Sequence, residues 1–177
     1  MHEQEIKKLM KNVANKKIRP DEAVKKLKFL PFEDLGFVKI DHHRALRKGF
    51  PEVVFCQSKT KEQVVEIIKK LASKNPNVLG TRASEEMFQA VKKYIKNAQY
   101  NKSSRTIIIS DKKTQKKGKI LVLCAGTTDI PVAEEAAVVA EAMGSNVERV
   151  YDVGVAGLHR LLNNKDKIES ANVLVIA

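Results

Sequence analysis

"KILVLCAGTTDIPVAEEAAVVAEAMG", residues 119–144, decides the fold. Lys119–Cys124 is an aliphatic run with the length of a strand buried on both faces. Pro131–Gly144 keeps alanine and valine at helical spacing until a glycine stops it. Between them Gly126, Thr127, Thr128 and Asp129 crowd a turn former, two hydroxyls and a carboxylate into four positions. Strand, tight polar loop and helix in that order belong to a parallel α/β sheet, where ligands bind outside the carboxyl ends of the strands among loop groups and helix amides. The loop is therefore a candidate site.

Toward the C-terminus the pattern repeats. "NVERVYDV" (146–153) reads as a strand, "LHRLLNNKDKIES" (158–170) as a helix and "NVLVIA" (172–177) as a strand that runs to Ala177. Alternating strands and helices imply right-handed crossovers and a parallel sheet, so the expected class is α/β with helices on both faces. Three strands and two crossovers make an incomplete example of such a sheet. An uncovered "NVLVIA" would expose an apolar edge that pairs with other chains.

Toward the N-terminus lies a second, small α/β unit. Residues 3–15 and 20–29 read as short amphipathic helices, the second opening with Pro20, Asp21 and Glu22, which suit a helix start. Residues 33–52 are polar and irregular. "PEVVFC" (51–56), "NVLGTRA" (77–83) and "SRTIIIS" (104–110) read as strands. The helices between them run over 60–74, with Thr60 and Gln63 at capping-box spacing, and over 84–97, with Ser84 as cap. The lysine-rich stretch 111–119 reads as a solvated linker, dividing the chain into domains at 1–113 and 118–177.

The formal charge of +12 is unevenly spread. Residues 118–177 carry five basic and eight acidic side chains, and the first 117 carry 28 and 13. A basic half can attract nucleic acid through counterion release, or its lysines can simply solvate helix faces. The lysines are spread over several helices and carry few aromatics, with no tryptophan, so nucleic acid is not the favoured partner; an anionic small molecule would use the same field. No apolar run approaches a membrane span or a secretion signal. The two cysteines, Cys56 and Cys124, sit in strand-like runs without zinc spacing. A cytoplasmic protein without a metal centre is expected.

Each polar group at the candidate edge has two readings. Asp129 can cap the helix or touch ligand. Gly126 can serve a turn alone or form a concavity with Thr127 and Thr128. Cys124 can be a thiolate nucleophile or an inert buried thiol. After the next strand come Asp152, Gly154, Gly157, His159 and Arg160. Arg160 can clamp a phosphate or carboxylate and His159 can move a proton, or both can be ordinary surface groups. Loops following successive parallel strands share one sheet edge, which favours a joint role. His42 and His43 are adjacent and point different ways. Arg44 and Arg47, three apart, could receive phosphate or stand solvated.

"AGTTDIPVAEEAA", "YDVGVAGLHRLL", "DLGFVKIDHHRALRKGFPEVVF", "KTKEQ" and "LGTRAS" together resemble the LarB family of nickel-pincer nucleotide cofactor biosynthesis. That family joins its own N-terminal domain to one similar to PurE, the aminoimidazole ribonucleotide carboxylase and mutase, whose Gly-Ser-x-Ser-Asp and Ser-Ala-His-Arg loops hold a nucleotide. The corresponding positions are Gly126–Asp129 and Gly157–Arg160. The resemblance implies a homo-oligomeric carboxylase and hydrolase acting on nicotinate adenine dinucleotide, with carbon dioxide or bicarbonate as co-substrate and magnesium on the phosphates. It also implies that residues 118–177 are the first half of a PurE-like three-layer domain. The family's Gly-Met-Glu-Gly segment, with its glutamate, and the cysteine nucleophile after it would lie beyond Ala177 and have no counterpart in these 177 residues. No catalytic residue is therefore assigned, and the chain is expected to be inactive alone. The alternatives are a PurE-type carboxylase of purine biosynthesis, a basic nucleic-acid-binding protein, or a non-catalytic remnant.

Overall fold

The computed structural model describes residues 3–28, 33–42, 44, 48–110 and 116–177. Two helices, α1 (Glu3–Ala14) and α2 (Pro20–Lys28), come first, α2 carrying Asp21 and Glu22 in its first turn where they complement the helix dipole. The stretch expected to be irregular holds a small antiparallel pair, β1 (Glu33–Asp34) and β2 (Lys39–Ile40), turned at Gly36, whose φ of +84° suits glycine.

The first main sheet has the order β3-β4-β6-β5, with β3 (Val53–Phe55), β4 (Asn77–Thr81), β5 (Gln99–Asn101) and β6 (Thr106–Ser110). Between them run α3 (Lys61–Ala72) and α4 (Glu85–Tyr94). The capping box forms as read: Gln63 N–H donates to Thr60 Oγ1 at 3.2 Å and Thr60 N–H to Gln63 Oε1 at 3.0 Å. Ser84 Oγ accepts from Met87 N–H. Only β3 and β4 are parallel; β6 runs antiparallel to β4 and to β5, so the sheet is mixed. Val64, Ile67, Ile68 and Leu71 of α3 pack on Val54, Val78 and Ile107. The approach is close at Gly80, where a Cβ would stand 3.1 Å from Cys56 Sγ and 3.3 Å from Ile68 Cδ1.

The second sheet has the order β8-β7-β9, all parallel, with β7 (Lys117–Leu123), β8 (Ser145–Val150) and β9 (Val173–Ile176). Thus the last part of the stretch read as a linker is already strand; residues 111–115 lie outside the described residues. The strand read as running to Ala177 stops one residue earlier, at Ile176. Ala177 nonetheless keeps the β7 pairing going, its N–H donating to Leu123 O at 3.0 Å. Val173, Leu174 and Ile176 are exposed, as an apolar strand at the edge of its sheet would be. Helix α5 (Ile130–Ala142) covers one face, burying Ala133 and Ala137 against Val122 and Cys124. On the other face Leu161 and Ile168 pack on Leu121, Leu123, Val150 and Val153. The helix expected over 158–170 is broken into α6 (Leu158–Leu162) and α7 (Lys165–Ser170) by a turn at Asn163–Asn164. The fold is α/β with a three-layer parallel part, as expected.

Helix α5 also touches β4 and β6 of the first sheet. A helix packed on two sheets is apolar on two sides, which explains why "IPVAEEAAVVAEA" has no single polar face. Its carboxylates are paired: Glu134 and Glu141 both accept from the Arg149 guanidinium, and Tyr151 OH donates to Glu134 at 3.0 Å. Burial and the Glu134 contact push the Tyr151 phenol up. No helix among the described residues is long and apolar enough to cross a membrane.

Candidate functional site

The loops after β7 and β8 meet. Val153 N–H donates to Cys124 O at 3.1 Å and Gly154 N–H to Ala125 O at 2.8 Å, continuing the β7–β8 pairing past the strand ends. The two glycine-bearing loops therefore stand side by side at the carboxyl edge, where a parallel sheet exposes unpaired backbone donors. On the other side of β7, Ala125 N–H donates to Ala177 O at 3.3 Å. Ala177 thus stands at this same edge, one hydrogen bond from the first loop.

In the first loop Asp129 does not cap α5 in the ordinary way. Its Oδ2 accepts the Gly126 N–H at 2.9 Å, and Thr127–Asp129 form a 3-10 turn that leads into α5, with Pro131 in the first helical turn. The carboxylate thus shapes the loop it belongs to. Gly126 has an extended backbone, φ −129°, that any residue adopts, so the expected need for a glycine turn does not arise there. Thr127 and Thr128 are exposed. Cys124 is buried beneath the loop, its Sγ 3.5 Å from Gly126 O.

In the second loop the glycines have packing reasons. A Cβ on Gly154 would stand 2.9 Å from Ala125 O, and one on Gly157 would stand 2.5 Å from Arg160 Nε. Arg160 lies across Gly157 and its Nη1 donates to Asp152 Oδ2 at 2.5 Å. Asp152 holds a left-handed backbone, φ +59°, which is uncommon for a non-glycine residue. His159 is exposed on α6.

Most of the residues expected at the site are thus gathered: Gly126–Asp129 in one loop; Asp152, Gly154, Gly157 and Arg160 in its neighbour. Arg44 is exposed and belongs to a different part of the chain, and Arg47 and His43 lie outside the described residues. His42 is engaged elsewhere, its Nε2 2.9 Å from Glu33 Oε2. Among the described residues no group of three or more His, Cys, Asp and Glu could hold a metal ion. Asp129 and Asp152 each have one carboxylate oxygen bonded to a protein donor.

A cavity of about 720 Å³ lies away from the candidate edge, between the outer faces of α3 and α4, where Lys69 Nζ sits 4.3 Å above the Tyr94 ring. Its lining alternates lysine with Glu62 and Glu66, as solvated helix faces do, and it has no strand-end loop.

The sequence reading passes over one charged residue that joins the first sheet to α5. Arg82, in "LGTRAS", follows β4 with φ +53° and reaches Glu135 of α5. Its signal was a charged residue placed between a buried strand and a capping serine.

Residues 32–112 match the family model of the LarB/PurE-like N-terminal domain. The chain is also 39% identical over 155 residues to an uncharacterized protein of Methanocaldococcus jannaschii, an alignment covering 83% of this chain and 60% of that relative. The chain spans about 60% of the length of the curated relative it matches.

Proposed function

The chain carries the LarB/PurE-like N-terminal domain, and from that premise we propose that its edge of Gly126–Asp129 and Asp152–Arg160 binds nicotinate adenine dinucleotide for ring carboxylation and phosphoanhydride hydrolysis. The observation that carries this reading is Arg160, lying across Gly157 beside a loop of two exposed threonines. One guanidinium donor goes to Asp152. The other N–H groups can pair with a phosphate, with the Thr127 and Thr128 hydroxyls as further donors. Asp129 keeps the loop in shape by holding the Gly126 amide.

The chemistry sets a demand that these residues do not meet alone. A pyridinium ring is electron-poor and cannot attack carbon dioxide until a nucleophile has added to it. Addition of a thiolate gives an enamine-like ring whose carbon bonds to carbon dioxide. Loss of the ring proton and expulsion of the thiolate then restore aromaticity. Cys56 and Cys124 are both buried, and neither is assigned this role. In this reading magnesium travels with the ligand's phosphates, and the working enzyme is a homo-oligomer.

Calorimetric titration of nicotinate adenine dinucleotide tests the site. Arg160→Ala removes a charge-assisted contact of about 1.5 to 3 kcal/mol, an affinity loss of roughly 10- to 100-fold. Equal affinity in both proteins would overturn the assignment.

A further inference from the structure

Helix α5 fixes how the two sheets' loops are disposed. Near its C-terminal end, Glu141 and Ala142 line a cavity of about 410 Å³ together with Asn77, Val78 and Leu79 at the start of β4. Further back along the helix, Glu135 meets Arg82, just past the end of β4. β4 therefore runs opposite to α5, and its carboxyl end advances toward the α5 N-terminus. Glu135 stands six residues from Asp129, roughly 9 Å along the axis at 1.5 Å per residue. The carboxyl edge of the parallel pair β3–β4 thus opens on the same side as the candidate edge of the second sheet.

Arg82 is the cation at that junction. Its Nη1 donates to Gln57 Oε1 at 3.1 Å, its Nε donates to Glu135 Oε2 at 3.4 Å, and its guanidinium carbon lies 5.4 Å from the Phe55 ring centre. The side chain is 46% exposed. Its ion pair with Glu135, one long contact at an exposed position, is a weak tether, yet the residue occupies a left-handed backbone that costs energy in a non-glycine residue. Two further cations stand close by. Arg105 donates from Nε to Ala83 O at 3.4 Å, and Lys59 Nζ donates to Phe55 O at 2.7 Å. The nearby acids Glu62, Glu85 and Glu86 lie in the first turns of α3 and α4.

We propose that Arg82 is the first sheet's contribution to the ligand site, swinging off Glu135 to pair with a second anionic group of a dinucleotide one of whose phosphates Arg160 holds. The inference rests on the function proposed above and deepens it. Two arginines from two sheets select a dinucleotide over a mononucleotide, because only the former presents two linked anionic groups. Glu135 is the resting partner that parks the guanidinium beside the edge.

Calorimetry with nicotinate adenine dinucleotide and with AMP, on wild type, Arg82→Ala, Arg82→Gly and Glu135→Gln, tests this. Arg82→Gly deletes the charge while relieving the left-handed backbone, so its result does not depend on tolerance of strain. Both Arg82 variants are expected to bind the dinucleotide at least 10-fold more weakly and AMP within about 2-fold of wild type. Glu135→Gln, which frees Arg82, should keep or raise dinucleotide affinity. Unchanged dinucleotide affinity in the Arg82 variants overturns the proposal. So does equal loss of both ligands, or a Glu135→Gln protein that reproduces the Arg82 loss, since Arg82 would then be a clamp between the sheets. If wild type binds neither ligand, the site reading fails and this inference with it. If Arg160→Ala weakens both ligands while the Arg82 variants match wild type, this inference alone fails.

Discussion

Arg160 occupies the space that a side chain at Gly157 would need: a Cβ there would stand 2.5 Å from Arg160 Nε. The backbone at Gly157 has φ −125°, so alanine is conformationally acceptable and only the arginine must yield. Gly157→Ala should therefore displace the guanidinium from Asp152 and lower ligand affinity much as Arg160→Ala does. The ion pair is partly exposed, and its loss should cost no more than about 1 kcal/mol of stability. Calorimetry and thermal melting together check this; a large drop in melting temperature with unchanged affinity would contradict it.

Gly154 differs because its obstacle is backbone. A Cβ would stand 2.9 Å from Ala125 O, and the two loops could not keep their hydrogen bond at 2.8 Å. Gly154→Ala is expected to destabilise the protein by roughly 1 to 3 kcal/mol, read from the urea midpoint.

Asp129 acts on its own loop through the Gly126 amide. Asp129→Ala should cost about 1 kcal/mol and speed hydrogen exchange at the Gly126 amide, whereas Asp129→Asn keeps an acceptor and most of the protection. Equal exchange in all three proteins would show that the carboxylate does not hold the loop.

Glu33 sets an acid limit for the first sheet. It accepts from Lys70 Nζ at 2.7 Å, His42 Nε2 at 2.9 Å and Lys74 Nζ at 3.1 Å, and these contacts, Lys70 foremost, hold its carboxyl at about 2 against an ordinary 4.5. A carboxyl depressed in the folded state stabilises it fully above the ordinary value and loses that contribution as pH falls toward 2. Urea midpoints between pH 6 and pH 2 should fall over this window and fall less in Glu33→Gln. Parallel profiles would refute the coupling.

Both thiols should be silent in the native protein. Cys56 and Cys124 are buried, and burial pushes the Cys56 thiol up to about 11. A thiol-disulfide reagent at pH 8 should label neither quickly and both after denaturation. Fast native labelling of Cys124 would reopen a covalent role for it.

What the sequence determined was local. The capping box at Thr60 and Gln63, the serine cap at Ser84, the aliphatic strands and the strand-loop-helix at the α5 N-terminus each follow from neighbours a few residues apart, and each formed. The candidate loops were legible for the same reason, since successive parallel strands place their following loops on one edge. Tertiary structure decided the rest. Strand direction leaves no trace in a period-two pattern, so "TIIIS" could not announce that it pairs antiparallel with β4. The edge strand β5 pairs with β6 and adds a Tyr100 ring stacked 5.1 Å from Phe88 of α4. That Ala177 sits beside Ala125 at the candidate edge follows from β9 pairing with β7 rather than with β8, an order no single strand encodes. The glycines at 154 and 157 and the ionic partner of Arg82 depend on contacts between elements far apart in the chain: Arg82 and Glu135 are 53 residues apart. They meet because α5 packs on both sheets, and the two sheets' loops fall on one side because β4 runs opposite to α5.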